Sequence, residues 1–266
     1  MKFALTLSAI LLLATQIAIA QPVMICDDNS EWPPYSYFPR IEGKADTSRL
    51  TGAMIELIDK IFDLIQMDYT ITAIPWKRCL YEVANFAHHQ TYEIAIEGTL
   101  SEERLDHYYV TSYVYTTTGG YWYSKAKYPQ GPIVKSPQDL KHYNLCGIFG
   151  YNYAGYGVSP DSISSHPKSY QAAFDMISLG RCDLFLSNIP TVLGKVTLGE
   201  LTVPEGVVGA KVPGVESGTF HIFIAKTSPR ALALLTNINQ ALHVLTFRGV
   251  TDAIFNKYLP TCGRHC

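Results

Sequence analysis

The sequence has little net charge and no basic stripe that could follow a nucleic-acid backbone. Its 21 Lys and Arg are balanced by 23 Asp and Glu, which leaves a formal net charge of −2. Because nucleic-acid-binding proteins carry clustered positive charge, we expect no nucleic acid among the partners of this protein. After residue 20 the sequence also has no segment long and apolar enough to cross a bilayer, so we expect no membrane span there.

The sequence equally lacks the short motifs of common catalytic and metal sites. No G-x-S-x-G, H-E-x-x-H or P-loop motif occurs, and no C-x2-C or H-x3-H spacing groups potential metal ligands. The adjacent pair His88-His89 lies in a predicted loop, where histidines are commonly solvated. We therefore expect no catalytic residue, no cofactor and no metal.

The first 20 residues have the features of a secretory signal peptide. One lysine precedes an apolar run, and the small-residue ending Ala18-Ile19-Ala20 predicts cleavage before Gln21. A membrane anchor is the alternative, but Thr15 and Gln16 interrupt the run, which is short for a bilayer span. Since no cysteine stands at the first mature position, we expect no lipid anchor and place the mature protein in the periplasm.

Composition and cysteines indicate an exported, globular protein. Hydrophobic residues make up 47% of the chain and charged residues 17%, a balance typical of folded proteins. An even number of cysteines in an oxidising compartment favours disulfide bonds, and no clustered spacing supports a metal site instead. Sequence alone does not choose the pairing of the six cysteines, which are Cys26, Cys79, Cys146, Cys182, Cys262 and Cys266.

Strands followed by helices dominate the first part of the chain. Predicted strands at Pro22–Asp27, Asp68–Ile74 and Glu93–Glu97 alternate with helical segments at Leu50–Ile65, from Pro75, and after the N-cap Ser101. Three such units predict a parallel sheet with right-handed crossovers. In sheets of this kind, ligands bind beyond the carboxyl ends of the strands.

The same pattern recurs in the middle of the chain, which predicts a second lobe. Predicted strands at Asn144–Phe149 and Cys182–Leu186 flank a helix at Tyr170–Ser178. The Pro- and Gly-rich segment Lys211–Thr219 then leads to a strand at Phe220–Ala225 and to two helices. Two crossings between lobes indicate that this last part returns to the first lobe.

Candidate ligand-binding residues lie at predicted strand ends. Arg104 follows a strand, and its planar fork of donors, with the Thr99 hydroxyl, suits a carboxylate. The alternative for Arg104 is a surface ion pair with Glu102 or Glu103. Aromatic residues at two other junctions could form the walls of a cleft: Trp32 and Tyr35 beside Pro33-Pro34, and Trp76 after a strand. The alternative for Trp32 is that it packs onto the core.

In the order and spacing of its motifs, the chain resembles the family-3 extracellular solute-binding proteins, periplasmic receptors for polar amino acids. The motifs are the WPPY loop, the helix with Gly52, Glu56, Leu57 and Ile58, the PWKRCL segment, the strand-turn-SEER element, the IFGYNY strand end, the LGRCDLFLSN unit and the terminal helix pair. The resemblance implies an α/β, two-lobed, type II periplasmic-binding-protein-like fold with a parallel or mixed sheet in each lobe and a hinge. It implies lobe 1 at 21–116 and 217–266, and lobe 2 at 117–216.

The resemblance also implies roles for individual residues. Arg104 would hold a ligand carboxylate with help from Thr99 and Asn152, while Trp32 and a residue near Trp76 would sandwich the ligand side chain. The family usually holds the ligand ammonium with a carboxylate five residues after the aspartate of the GR-x-D unit. Here Asn188 stands at that position. Either Glu97 supplies the charge from the first lobe, or the ligand is not an α-amino acid.

The function implied is capture of a small carboxylate-bearing solute for uptake by an ABC-type system. A membrane permease complex is then the partner, and we expect a monomer that is not an enzyme. One alternative is a periplasmic enzyme of the dehydratase type with Glu97 as its acid–base group; another is a ligand-sensing module. With two lobes, we expect the disulfides Cys146–Cys182 on neighbouring strands, Cys262–Cys266 in a short loop, and Cys26–Cys79 from the remaining pair.

Overall fold

The computed structural model describes residues 21–215 and 218–259, and these form two large β-sheets with helices packed against them and one small two-stranded sheet. The strands are β1 (Val23–Asp28), β2 (Arg40–Ile41), β3 (Lys44–Ala45), β4 (Tyr69–Ile74), β5 (Ile94–Thr99), β6 (Tyr108–Val110), β7 (Tyr115–Thr117), β8 (Gly119–Ser124), β9 (Leu145–Cys146), β10 (Ile163–Ser165), β11 (Leu184–Asn188), β12 (Val207–Lys211) and β13 (Gly218–Ala225). The helices are α1 (Ala53–Ile65), α2 (Trp76–Ala84), α3 (Phe86–His89), α4 (Glu102–His107), α5 (Tyr170–Ser178), α6 (Ile189–Thr197), α7 (Ala231–Phe247) and α8 (Val250–Tyr258). The predicted signal peptide and Cys262 and Cys266 lie outside the described residues.

The first sheet is mixed and has the strand order β4-β1-β5-β13-β6, with β7 also paired to β13. Strand β1 is parallel to both β4 and β5, as the strand–helix pattern predicted. Strand β13 runs antiparallel to β5 and β6. Strand β13, which comes after the strands of the second sheet in the chain, therefore runs opposite to its neighbour β5.

The second sheet draws its strands from the middle of the chain, in the order β10-β9-β11-β8-β12. Strands β9, β10 and β11 are parallel, while β8 is antiparallel to β11 and β12. Each sheet is thus mixed, and the fold is α/β with two lobes. The lobe boundaries at 116/117 and 216/217 stay predictions.

Helix α1 shows how the apolar spacing positions the elements. Its buried side chains include Met54, Leu57, Ile58, Ile61 and Phe62, which recur at helical period and face the core. Each such side chain contributes about 1.5–3 kcal/mol when it leaves water. This stripe fixes α1 against α7 and α8.

Two of the expected cysteine pairs lie at disulfide distance. Cys26 and Cys79 join β1 to α2 with a Cα–Cα distance of 5.7 Å. The Cα–Cα distance between Cys146 and Cys182 is 5.9 Å, and this pair joins β9 to the segment just before β11. Within the described part of the chain, no helix combines the length and hydrophobicity that crossing a membrane requires.

Candidate ligand-binding cleft

A cavity, part of it open to solvent, lies where β1, β5 and β11 end. Seven of the eight candidate residues line it together: Trp32, Trp76, Glu97, Thr99, Arg104, Asn152 and Asn188. The remaining lining residues are Asp27, Asp28, Tyr151, Tyr153, Tyr156, Tyr170, Ser187 and Phe220. The cavity thus combines residues of both sheets, at the strand ends where the α/β pattern places ligands.

Arg104 is held in the cavity by the strand–turn–helix segment that carries it. Ser101 caps helix α4 by accepting a hydrogen bond from the Arg104 backbone N–H at 3.4 Å. The guanidinium Nη1 donates to the Thr99 carbonyl at 2.6 Å and to its hydroxyl at 3.0 Å. The Arg104 Cζ lies 5.8 Å from the Trp76 ring centroid. Both hydrogen bonds use Nη1, so the other guanidinium nitrogens are not needed to hold the side chain.

Residues of the second lobe reach across to the first lobe at this point. The Asn152 amide donates to the Thr99 hydroxyl at 3.2 Å and to the Leu100 carbonyl at 2.9 Å. The Tyr151 hydroxyl donates to Asp28 Oδ2 at 3.0 Å. These contacts bring the two lobes together around the cavity.

A buried lysine makes a further contact between the lobes. Lys195 on α6 donates from Nζ to the Ser30 carbonyl at 2.6 Å and lies 3.4 Å from Glu200. Burial lowers the pKa of Lys195 to about 8, while Glu31 and Asp28 oppose that shift. Its charge therefore partly balances Asp28, whose own pKa burial raises.

Aromatic rings form much of the cavity wall. The Trp32 ring meets Tyr151 edge-on at 5.6 Å between centroids and lies 5.7 Å from Phe220. Trp32 is 8% exposed, and its Nε1 is buried without a hydrogen-bond partner among the described residues. Such a wall suits an apolar or cationic group of a ligand and leaves one indole donor unused.

Two carboxyls lie buried at the floor of the cavity. Glu97 accepts hydrogen bonds from the Ser36 hydroxyl at 2.6 Å and from the Tyr115 hydroxyl at 3.1 Å. Asp27 accepts from the Asp28 backbone N–H at 2.8 Å. Burial raises the pKa of Asp27 to about 7, and burial together with the Asp27 charge raises the pKa of Glu97 well above its ordinary value. Glu97 also has a φ of 65°, a backbone region that a non-glycine residue enters at a cost and that is frequent at binding sites.

Tyr35 is the candidate that the structure does not bring to the cavity. Its side chain is 0% exposed and stacks on Tyr115 with ring centroids 4.1 Å apart. The turn from Trp32 to Ser36 places Trp32 in the cavity wall, Ser36 within hydrogen-bond distance of Glu97, and Tyr35 in the hydrophobic core. Tyr35 therefore packs in the core and is not among the lining residues, and its role in ligand binding stays a prediction.

Sequence reasoning missed several lining residues. Asp27 and Asp28 end β1 at the same edge as Thr99 ends β5, so their place after a buried strand was a usable signal. The tyrosines of the 151–156 segment follow β9 in the same way. By contrast, nothing local pointed to Tyr170 or Phe220, because only the packing of α5 and β13 brings them to the cavity. Among the described residues, no group of three His, Cys, Asp or Glu side chains has metal-binding geometry.

No protein-family model and no curated protein matches this sequence, whereas solved structures match its fold. The substrate binding protein of an amino acid ABC transporter has a TM-score of 0.67 at 16% identity, covering 91% of this chain and 100% of that chain. A histidine kinase sensor domain with similarity to periplasmic binding proteins has a TM-score of 0.71 at 14% identity, covering 90% and 96%. The arginine-, lysine-, histidine-binding protein ArtJ from Geobacillus stearothermophilus has a TM-score of 0.65 at 15% identity, covering 91% and 96%. At such identities the likeness establishes the two-lobed periplasmic-binding-protein fold.

Proposed function

We propose that this protein captures a small carboxylate-bearing solute between its lobes and delivers it to an ABC-type uptake system. The observation that carries the proposal is the joint arrangement of Arg104, Thr99 and Asn152 in one aromatic-walled cavity between two sheets. A guanidinium fixed by its own turn is pre-organised for a carboxylate, since little side-chain freedom is lost on binding.

Six of the lining residues have a role in the proposal. Arg104 pairs with the carboxylate, and the Thr99 hydroxyl and the Asn152 amide supply further polar contacts. Trp32 and Trp76 enclose the body of the solute. Asn188, which ends β11, offers a neutral amide from the second lobe instead of a fixed negative charge.

The proposed location and partner of the protein rest on its structural neighbours. Two of the neighbouring structures are named as binding proteins for amino acids, one of them part of an ABC transporter. We accordingly propose an exported, periplasmic protein that works as a monomer and docks on a membrane permease complex. Hinge motion between the lobes would open and close the cleft.

Two observations favour other functions enough to test them. A sensor domain is among the structural neighbours, so the same capture of solute could signal instead of supplying transport. The cavity also holds Asp27 and Glu97 with raised pKa values, which an acid–base enzyme of the dehydratase type would need. Incubation with candidate cyclic carboxylic acids, followed by chromatography, separates an enzyme from a receptor through product formation.

The decisive experiment is native mass spectrometry of the purified protein, followed by calorimetric titration with amino acids and their deaminated acids. The proposal expects a bound or titratable solute that carries a carboxylate, with one solute per chain. Binding restricted to solutes without a carboxylate would contradict it. Binding accompanied by turnover would favour the enzyme.

A further inference from the structure

Two acidic side chains of the cleft come from neighbouring strands. Asp27 is on β1 and Glu97 on β5, and these strands pair in parallel with Cys26 opposite Ala95. Both residues line the cavity, and they are 1% and 8% exposed. Two interacting carboxyls that are out of water resist ionising together, because repulsion adds to the loss of hydration.

A proton shared between the two carboxyls would complete the hydrogen bonds around the pair. Both Glu97 oxygens accept from hydroxyls, and Asp27 Oδ1 accepts from a backbone N–H. Asp27 Oδ2 is buried and has no donor among the described residues, while the Glu97 carboxyl interacts with the Asp27 carboxyl. A proton held between the acids is the donor that this geometry admits.

The groups that face the pair do not include a basic side chain. Asp28 on β1, Ser36 and Tyr35 in the turn before α1, and Tyr115 on β7 interact with one or other acid. In the part of the chain described, no ion pair within 4.0 Å joins either acid to Lys, Arg or His; Lys195 instead contacts Glu200 and interacts with Asp28. The pair is therefore a negative centre that the protein itself does not neutralise.

Independent features of the wall point to a positively charged occupant. The Asp27 side chain lines the cavity, and the Trp32 and Phe220 rings present π-systems in the same cavity. Cations are attracted to such rings and to carboxylates alike. Asn188, at the second-lobe end of the cavity, carries no charge that could take this role.

We propose that the Asp27–Glu97 pair is the cation subsite of the cleft, where an ammonium of a zwitterionic solute replaces the shared proton. This inference rests on the proposed function, in which Arg104 takes the carboxylate of the same solute. On binding, the acid O–H bond breaks and its proton leaves to solvent, while the ammonium N–H groups donate to the two carboxylates. The pair with its proton has a net charge of −1, and the two carboxylates with the ammonium also sum to −1, so the net charge of the subsite does not change.

The test uses matched trios in which a solute loses its ammonium or its carboxylate. Suitable trios are phenylalanine with phenylpropionate and phenethylamine, histidine with imidazolepropionate and histamine, and arginine with guanidinovalerate and agmatine. Each is titrated calorimetrically into the full-length mature protein. We expect at least one amino acid to bind about tenfold or more tightly than its deaminated acid.

The trios separate this inference from the proposed function. Equal affinity for an amino acid and its deaminated acid would overturn the cation subsite and leave carboxylate capture standing. Binding of the amine as tightly as the amino acid would retain the subsite and contradict carboxylate capture. If no member of any trio binds, the inference fails together with the function on which it rests.

Proton exchange has its own readout. Titration of the tightest-binding trio member in buffers of different ionisation enthalpy should show release of up to one proton. Its affinity should rise toward tenfold per pH unit between about pH 6 and pH 8. An affinity that is flat with pH, with no buffer dependence of the heat, would refute the exchange.

Two isosteric variants test whether the Asp27–Glu97 pair is the source of the released proton. Glu97→Gln and Asp27→Asn should each weaken amino-acid binding about tenfold or more and abolish the proton release, with the deaminated acid affected less than about threefold. Asp106→Asn, an exposed aspartate of α4, is the matched control and should change neither property. Unchanged proton release in both folded variants would overturn the assignment. If one variant fails to fold, the other and the wild-type buffer series decide.

Discussion

Replacing Arg104 tests the carboxylate site directly. Its guanidinium is fixed by two hydrogen bonds to Thr99 and lies beside the Trp76 ring, so a bound carboxylate meets a donor fork that is already oriented. Arg104→Ala removes this partner and leaves the carboxylate in a partly desolvated cleft. The expected loss is about 2–5 kcal/mol of binding free energy, or about 30-fold to several-thousand-fold in affinity.

The same substitution should have a small but measurable effect on folding. Arg104→Ala deletes both hydrogen bonds to Thr99, but the Thr99 hydroxyl keeps its bond from Asn152. We therefore expect the free energy of unfolding to fall by about 1 kcal/mol. Arg104→Lys should recover only part of the affinity, because a point charge does not reproduce the planar fork.

Calorimetric titration with the solute found by native mass spectrometry, together with urea unfolding, measures both effects. Arg78→Ala is the matched control, since the Arg78 side chain is 66% exposed on α2 of the same lobe. Equal affinities in wild type, Arg104→Ala and Arg104→Lys would refute the carboxylate role. So would an Arg78→Ala variant that loses as much affinity as Arg104→Ala.

Three further predictions address charge and closure. Asn188→Asp adds a negative charge at the second-lobe side of the cavity and should tighten binding of an amino acid about tenfold without tightening binding of its deaminated acid, as titration will show. Asp27 and Glu97 have raised folded-state pKa values, so the folded chain binds more protons than the unfolded chain from about pH 4 to pH 7; the free energy of unfolding should fall as pH rises through this window, and urea unfolding of Glu97→Gln should show a smaller fall. Lys195→Met removes the bond to the Ser30 carbonyl, which should weaken solute binding by about 1–2 kcal/mol and enlarge the radius of gyration in X-ray scattering; unchanged values would show that Lys195 does not hold the lobes together.

Local sequence rules account for the placement of Arg104. The buried strand and the N-cap Ser101 are short-range features, and the structure has β5 followed by the capped helix α4. Gly98 and Thr99, expected to form a turn after the strand, are instead the last two residues of β5. Thr99 and Arg104 therefore lie together for reasons contained within a few residues. The apolar period of α1 could be predicted for the same reason. So could the placement of Cys146 and Cys182 on strands predicted to be neighbours.

Other features of the site depend on contacts between distant segments. Tyr35 and Trp32 are three residues apart in one turn, yet Tyr35 enters the core and Trp32 lines the cavity, because Tyr115 and Phe255 offer ring partners only beneath the turn. Such partners are far away in the sequence, so no local pattern distinguishes the two aromatics.

Short-range patterns thus predict the strand–helix alternation, the helical faces and the strand-end position of Arg104, since each depends on neighbouring residues. Long-range packing sets the antiparallel direction of β13, the contact of Asn152 with Thr99 and the interaction of Asp27 with Glu97. The physical reason is that a carboxyl's protonation and a lobe contact depend on which groups exclude water around them. Those groups come from segments that are tens of residues apart and meet only when both sheets have formed.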